Sequence, residues 1–233
     1  MNELHELLTT SSYFGIVLCV LTYLVGMWIQ KKTRLAVCNP LLISIALTIG
    51  ALVVLQVDYD SFADSADPLS WLLTPTSVAF AVPLYRQLEV LRKNAVVILT
   101  GIFAGSFASC LSILVLSRLF GLSRELYYSL LPKSITTPIA IGVTEELGGY
   151  SSITVICVIF TGILGAAFLP AVARALRMTD KVAIGLGIGT SSHALGTSTA
   201  LQMGEVEGAM SSLSIVVAGV TTVVLSPLFA MFY

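Results

Sequence analysis

Five apolar runs near bilayer-crossing length constrain this chain more than any other feature: Ser11–Ile29, Val37–Val57, Ala95–Leu116, Ser152–Ala173 and Ser212–Tyr233. A bilayer core asks for about 20 residues of helix, and each run is close to that. Between them lie apolar stretches that are broken: Trp71–Tyr85, with Pro75 and Pro83, Leu131–Gly149, and the glycine-rich Val182–Leu201. Only 11% of the 233 residues are charged, against about 25% in soluble domains. The expected fold is therefore all-α: a polytopic helical membrane protein with broken or re-entrant helices, forming one transmembrane domain over 1–233.

The net charge of −1 gives no basic surface for nucleic acid. Cys19, Cys38, Cys110 and Cys157 all lie in apolar runs without close pairing, so they read as small packing residues. No metal or cofactor is expected. The opening MNELHELL carries no positive n-region, and the first span is expected to be retained.

Basic residues orient the spans. Lys31, Lys32 and Arg34 follow the first run and put that end in the cytoplasm, with the second run returning outward. Asp58–Asp67 holds four aspartates and no base, which suits an external loop. The bases at Arg86, Arg92 and Lys93, and again at Arg174, Arg177 and Lys181, belong inside. With Ala95–Leu116 and Ser152–Ala173 between them, Leu131–Gly149 must enter and leave on one face. Val182–Leu201 can then re-enter from the other.

Leu131–Gly149, LPKSITTPIAIGVTEELGG, has no use on a lipid-facing helix. It holds Pro132, Pro138, Lys133 and the hydroxyls Ser134, Thr136, Thr137 and Thr144. Proline frees backbone groups that hydrocarbon cannot satisfy, so such a stretch lines a site or a path buried by protein. It also opens an internal repeat of about 60 residues. At that offset Thr137 matches Thr197, Ala140 Ala200, Glu145 Glu205, Gly148 Gly208, Ser151 Ser211 and Ser152 Ser212. An earlier copy can start at Thr74-Pro75; if that element spans fully, its parity differs from the other two. Transporters built from inverted repeats place discontinuous elements of this kind at the midplane.

The candidate substrate-binding set follows. Lys133 is the one base away from span ends and loops; it can bind an anion together with half-helix amides, or snorkel to the interface. Ser134, Thr136, Thr137 and Pro138 surround it, and Thr74 and Pro75 are their counterparts in the first copy. On the later element stand Ser191, Ser192, His193, Gly196 and Thr197. His193 can carry a proton or donate a hydrogen bond, or simply pack among neighbouring hydroxyls. Glu145 and Glu146 precede two glycines and read as a surface turn, as do Glu205 and Glu207 near the start of the last run. Ser192 beside His193 is no hydrolase signature: adjacent residues point to different sides of a helix, and no GxSxG turn is present. No catalytic residue is expected.

LPKSITTPIA (131–140), TGILGA (161–166), SHALGT (192–197), EGAMSSL (207–213), NPLL (39–42) and the proline-bounded pattern from Pro75 to Tyr85 resemble the LrgB/CidB family over nearly the whole chain. Glu145-Glu146 is not part of that pattern. The resemblance implies a bacterial cell-membrane protein described as antiholin-like or holin-like, modulating murein hydrolase activity and autolysis beside a separate LrgA/CidA-like partner. It also implies kinship with the chloroplast glycolate/glycerate transporter, and so transport of small monocarboxylates such as glycolate, glycerate or pyruvate. A homo-oligomer is expected.

Overall fold

The computed structural model describes residues 11–33, 40–72, 75, 79 and 81–233. Among them there is no strand, and four helices are long and apolar enough to cross a membrane: Phe14–Thr33, Arg92–Phe120, Ser151–Ala175 and Glu205–Ala230. The chain divides into two compact units, one up to Ala79 and one from Phe80.

In the first unit, α1 (Phe14–Thr33) and α2 (Pro40–Leu55) form an antiparallel pair. Gly26 meets Pro40, and the Thr22 hydroxyl shares hydrogen bonds with Ser44 (2.9 Å) and Thr48 (3.0 Å). Hydroxyl pairs of this kind hold helices together where lipid offers no hydrophobic drive. The second apolar run gives only 16 described residues of helix; its expected start, from Val37 to Asn39, lies outside the described residues. The aspartate-rich segment differs from the expected loop. It contains α3 (Tyr59–Ala66), because Asp58 caps the helix by accepting from the Ser61 amide at 2.8 Å. Ser65 of α3 then accepts the Gly15 amide at 2.9 Å.

The second unit holds α4 (Ala81–Arg86), α5 (Leu88–Phe120), α6 (Arg124–Leu130), α7 (Thr137–Leu147), α8 (Ser151–Ala175), α9 (Lys181–Met203) and α10 (Glu205–Ala230). Three of these, α5, α8 and α10, run the full depth. The segment from α6 to α7 does not cross. Ser129, near the end of α6, accepts the Tyr150 amide at 2.7 Å, and its carbonyl accepts the Thr154 hydroxyl at 2.9 Å. The element therefore begins and ends at one place, beside the start of α8. Gly148, at φ 81°, closes α7 in the left-handed conformation that glycine adopts without strain.

α9 is also re-entrant. At His193 its backbone leaves helical geometry (φ 42°, ψ −136°). Before that residue, Gly185 lies on Glu207 and Gly189 on Ser211, so the first leg runs parallel to α10. After it, Thr197 bonds Ser211 and Leu201 packs on Gly208, so the second leg runs antiparallel. Gly196 accordingly sits against Ile188. A straight helix would separate those two by about 12 Å.

The first leg also runs parallel to α5, with Gly101 facing Leu186 and Gly105 facing Thr190. The starts of α5, α9 and α10 and the end of α8 thus share one face, which carries Arg86, Arg92, Lys93, Arg174, Arg177 and Lys181. The ends of α5 and α10 and the base of the α6–α7 element share the other, which carries Arg118 and Arg124. By the positive-inside rule the first face is cytoplasmic. The unit α6–α7 followed by α8, and the unit α9 followed by α10, are therefore inserted from opposite faces.

Candidate functional site

Between α6 and α7 the chain runs from Leu131 to Thr136 without regular helix, held by turns from the Lys133 amide to Leu130 O and from the Ile135 amide to Pro132 O. Pro132 and Pro138 flank this tip, and Leu131, Ser134 and Ile135 are buried. The Ser134 hydroxyl bonds Ser109 of α5 at 3.0 Å. Ser109 stands eleven residues before the end of α5, or about 16 Å at 1.5 Å per residue. That is about half of a 30 Å hydrocarbon core. Lys133 Nζ donates to the Ser134 hydroxyl at 3.1 Å, so a lysine head group lies near mid-depth.

The tip of α9 reaches the same level from the other face. The His193 ring lies over Gly162, and Nε2 donates to the Val158 carbonyl at 3.1 Å. A carbonyl only accepts, so the proton is on Nε2. Ser192 fills the space beside Gly165. Thr197 returns its hydroxyl to His193 O at 2.9 Å and shares a hydrogen bond with Ser211 at 2.7 Å. His193 in the left-handed region is strained backbone, held because α8 offers glycines where the reversal must fit.

A cavity of about 630 Å3 runs from the basic face to these two tips. Asn94 and Asp180 stand at its mouth; Ser109, Lys133, Ser134, Thr161, Thr190 and Ser191 form its inner end. Asp180 already serves as the α9 N-cap, accepting the Ala183 amide at 2.9 Å. Lys133 is the one cation among the described lining residues. Aromatic side chains pack near the end of α10: Phe107 lies edge-on to Phe229 (5.3 Å), and Tyr127 stacks on Tyr233 (4.3 Å). Tyr127 also donates to Phe229 O at 2.9 Å, and Arg118 donates to Phe232 O.

Of the residues expected in the site, Lys133, Ser134 and Ser191 line this cavity. Ser192, His193, Gly196 and Thr197 are buried in the construction of the hairpin tip. Thr136 and Thr137 are half-buried at the start of α7, and Pro138 is exposed in its first turn. Pro75 is exposed in the first unit, and Thr74 lies outside the described residues. Ser109, Thr161 and Thr190 were not singled out by the sequence reading. Their signal is a hydroxyl one helical turn from a small residue, as in Gly105–Ser109 and Thr161–Gly165. Among the described residues no group of three or more His, Cys, Asp or Glu side chains stands together to hold a metal.

A family profile, the LrgB-like family, matches residues 19–232. The chain belongs to the LrgB-like family. This LrgB-like chain is 36% identical over 229 residues to the antiholin-like protein LrgB of Bacillus cereus (strain B4264), covering 96% of the chain and 98% of the relative. The antiholin-like protein LrgB of Bacillus anthracis (strain CDC 684 / NRRL 3495) matches to the same extent. No solved structure matches. Family and helices together make this LrgB-like protein a multi-pass bacterial membrane protein.

Proposed function

We propose that this LrgB-like chain is a carrier of small monocarboxylates, of the size and charge of glycolate, glycerate or pyruvate. The observation that carries the reading is the Lys133 ammonium near mid-depth, in a cavity reached from the basic face. An ionised group inside a membrane is kept where it meets a substrate or an ion. Lys133 supplies the counter-charge, and Ser109, Ser134, Thr161, Thr190 and Ser191 supply hydrogen bonds to carboxylate oxygens. The first amides of α7, at Thr137 and Ile139, add the positive end of a half-helix. The tip around Ser192, His193, Gly196 and Thr197 is the moving part: withdrawing one re-entrant element and advancing the other exposes the anion to the opposite face. No step requires covalent chemistry.

The test is uptake by purified protein in liposomes against a panel of labelled monocarboxylates. Saturable uptake is expected, with Lys133→Ala lowering affinity by about 10- to 150-fold, the worth of a charge-assisted hydrogen bond of about 1.5–3 kcal/mol. Uptake by Lys133→Ala equal to that of wild type refutes the site.

A second reading is favoured by the relatives' name, which speaks for it more directly than for a carrier: an antiholin-like regulator of murein hydrolase activity and autolysis, working with an LrgA/CidA-like membrane partner. It calls for assembly and lesion control rather than a saturable pocket. Leakage of large dyes without saturation supports it; saturable uptake without leakage supports the carrier. The two meet if weak-acid movement changes the pH at the wall.

A further inference from the structure

The cavity is far larger than a three-carbon acid. At about 630 Å3 it falls in the range of about 300–1,000 Å3 for pockets that hold drug-sized ligands. An anion the size of pyruvate beside Lys133 occupies only its inner end. The lining also changes with depth. Lys133 and the hydroxyls gather at the inner end. Toward the mouth the walls are apolar: Val97 and Gly101 on α5, and Val182, Ala183, Leu186 and Gly187 on the first leg of α9. Residues one turn apart share a helix face, and Gly101 faces Leu186, so these form two opposed stripes. Thr190 stands eight residues after Val182, or about 12 Å of helix. An extended chain advances about 3.5 Å per three-bond residue, so about ten bonds fit along that wall.

Gly187 shows that the bore is kept open. Gly185 and Gly189, two residues to either side, lie against the Glu207 and Ser211 backbones of α10 and have no room for a side chain. Gly187 is in regular helix, and a Cβ built there meets no described atom of another element within 4 Å. Neither packing nor backbone conformation calls for glycine at this position, and glycine weakens a helix interior relative to alanine. What lies before it is the cavity. A side chain at 187, one turn before Ser191, would narrow the passage where the polar end meets the apolar wall.

We infer that the site takes straight-chain monocarboxylates with an apolar tail, of about four to ten carbons, the carboxylate at Lys133 and the tail running toward the mouth past Gly187. The inference rests on the anion site proposed above and adds the tail. Water leaves the apolar stripes as the tail lengthens, so affinity rises with each methylene. The far end has no place for a second charge: the wall there is apolar, and the Asp180 carboxylate stands beyond it.

Binding is read without transport. A cysteine at Ala108, in the cavity lining, is placed on a cysteine-free background in lipid nanodiscs and labelled with a water-soluble maleimide. Acetate, butyrate, hexanoate and octanoate are each titrated for the concentration that halves the labelling rate. That concentration is expected to fall about two- to fourfold per methylene, the upper figure being a fully buried methylene. Suberate, which is octanoate with a second carboxylate at the far end, is expected to protect no better than acetate. Gly187→Leu is expected to flatten the series beyond butyrate. Lys133→Ala is expected to weaken every acid by a common factor and keep the gain per methylene, since head and tail contacts are separate. Partition of the acids into lipid is common to all variants and cancels between them. Gly187→Ala serves if the leucine variant does not fold: it should raise Tm, as alanine in a helix does, while weakening octanoate.

Equal protection by acetate and octanoate overturns the tail and leaves the carrier reading standing. A gain per methylene that persists unchanged in Gly187→Leu also overturns it. Octanoate protection undiminished by Lys133→Ala marks an acyl chain bound without its head group, as a bilayer lipid would be, and overturns it too. Protection by no acid of any length overturns the tail together with the anion site.

Discussion

Replacing Gly162 by alanine tests the seating of the α9 tip. A Cβ at Gly162 would lie 2.7 Å from His193 Cε1, 2.8 Å from Nε2 and 2.7 Å from Leu195 Cδ1. Real carbon contacts do not come that close, so the imidazole must leave its seat and lose its bond to Val158 O. The overpacking costs about 1–3 kcal/mol. The hydrogen bond adds about 0.5–1.5 kcal/mol, since Val158 O keeps its place in the α8 ladder and is not orphaned. Together they destabilise by about 2–4 kcal/mol, which for a chain of this length is a fall in Tm of about 4–16 °C. Thermal unfolding in detergent, followed by fluorescence-detected size exclusion, reads it. The sharper measurement is a double-mutant cycle. If the methyl acts by evicting the ring, Gly162→Ala should cost about 0.5–3 kcal/mol less in a His193→Ala background than in wild type. An unchanged Tm, or strict additivity of the two substitutions, refutes the seating.

Three further outcomes are expected. Thr197→Val removes bonds to His193 O and Ser211 and should cost about 1–3 kcal/mol in the same assay. Thr22→Val, in the first unit, removes the hydroxyl shared with Ser44 and Thr48; a loss of about 0.6–1.7 kcal/mol is expected, the range for hydroxyls between membrane helices. Gly105→Leu places bulk against Thr190, whose Cγ2 is 2.9 Å from a Cβ built at Gly105, and should block the cavity between α5 and the first leg. A cysteine at Ser109 should then lose its reactivity toward a water-soluble maleimide applied from the basic face.

Much of the fold was legible because its signals are local. Apolar runs, prolines at 132 and 138, and bases at span ends mark the helices, the first re-entrant element and the inside face. The reversal at His193 was not marked. Ser192, His193 and Ala194 are acceptable in a helix, with neither proline nor glycine at the turning residue. What turns the chain is tertiary: Gly162 and Gly165 leave room on α8, and Gly196 lets the second leg return past Ile188. The sixty-residue register was legible only loosely. Glu145 lies in the last turn of α7, whereas its match Glu205 opens α10. The first tip uses six residues, Leu131–Thr136, where the second uses one, so a fixed offset cannot align both ends. At the site, Lys133 and Ser134 were conspicuous by chemistry. Ser109 and Thr161 were not, since a lone hydroxyl on an apolar helix ordinarily bonds its own backbone.

Because each re-entrant segment gives back the depth it takes, neither counts as a crossing. Hydropathy parity would put Lys181 and Glu205 in different compartments, whereas here both look onto one. Impermeant labels at those two positions should therefore react from a single side. A tally of greasy stretches, applied to relatives of this chain, will misassign the loops that lie between one hairpin it mistakes for a span and the next.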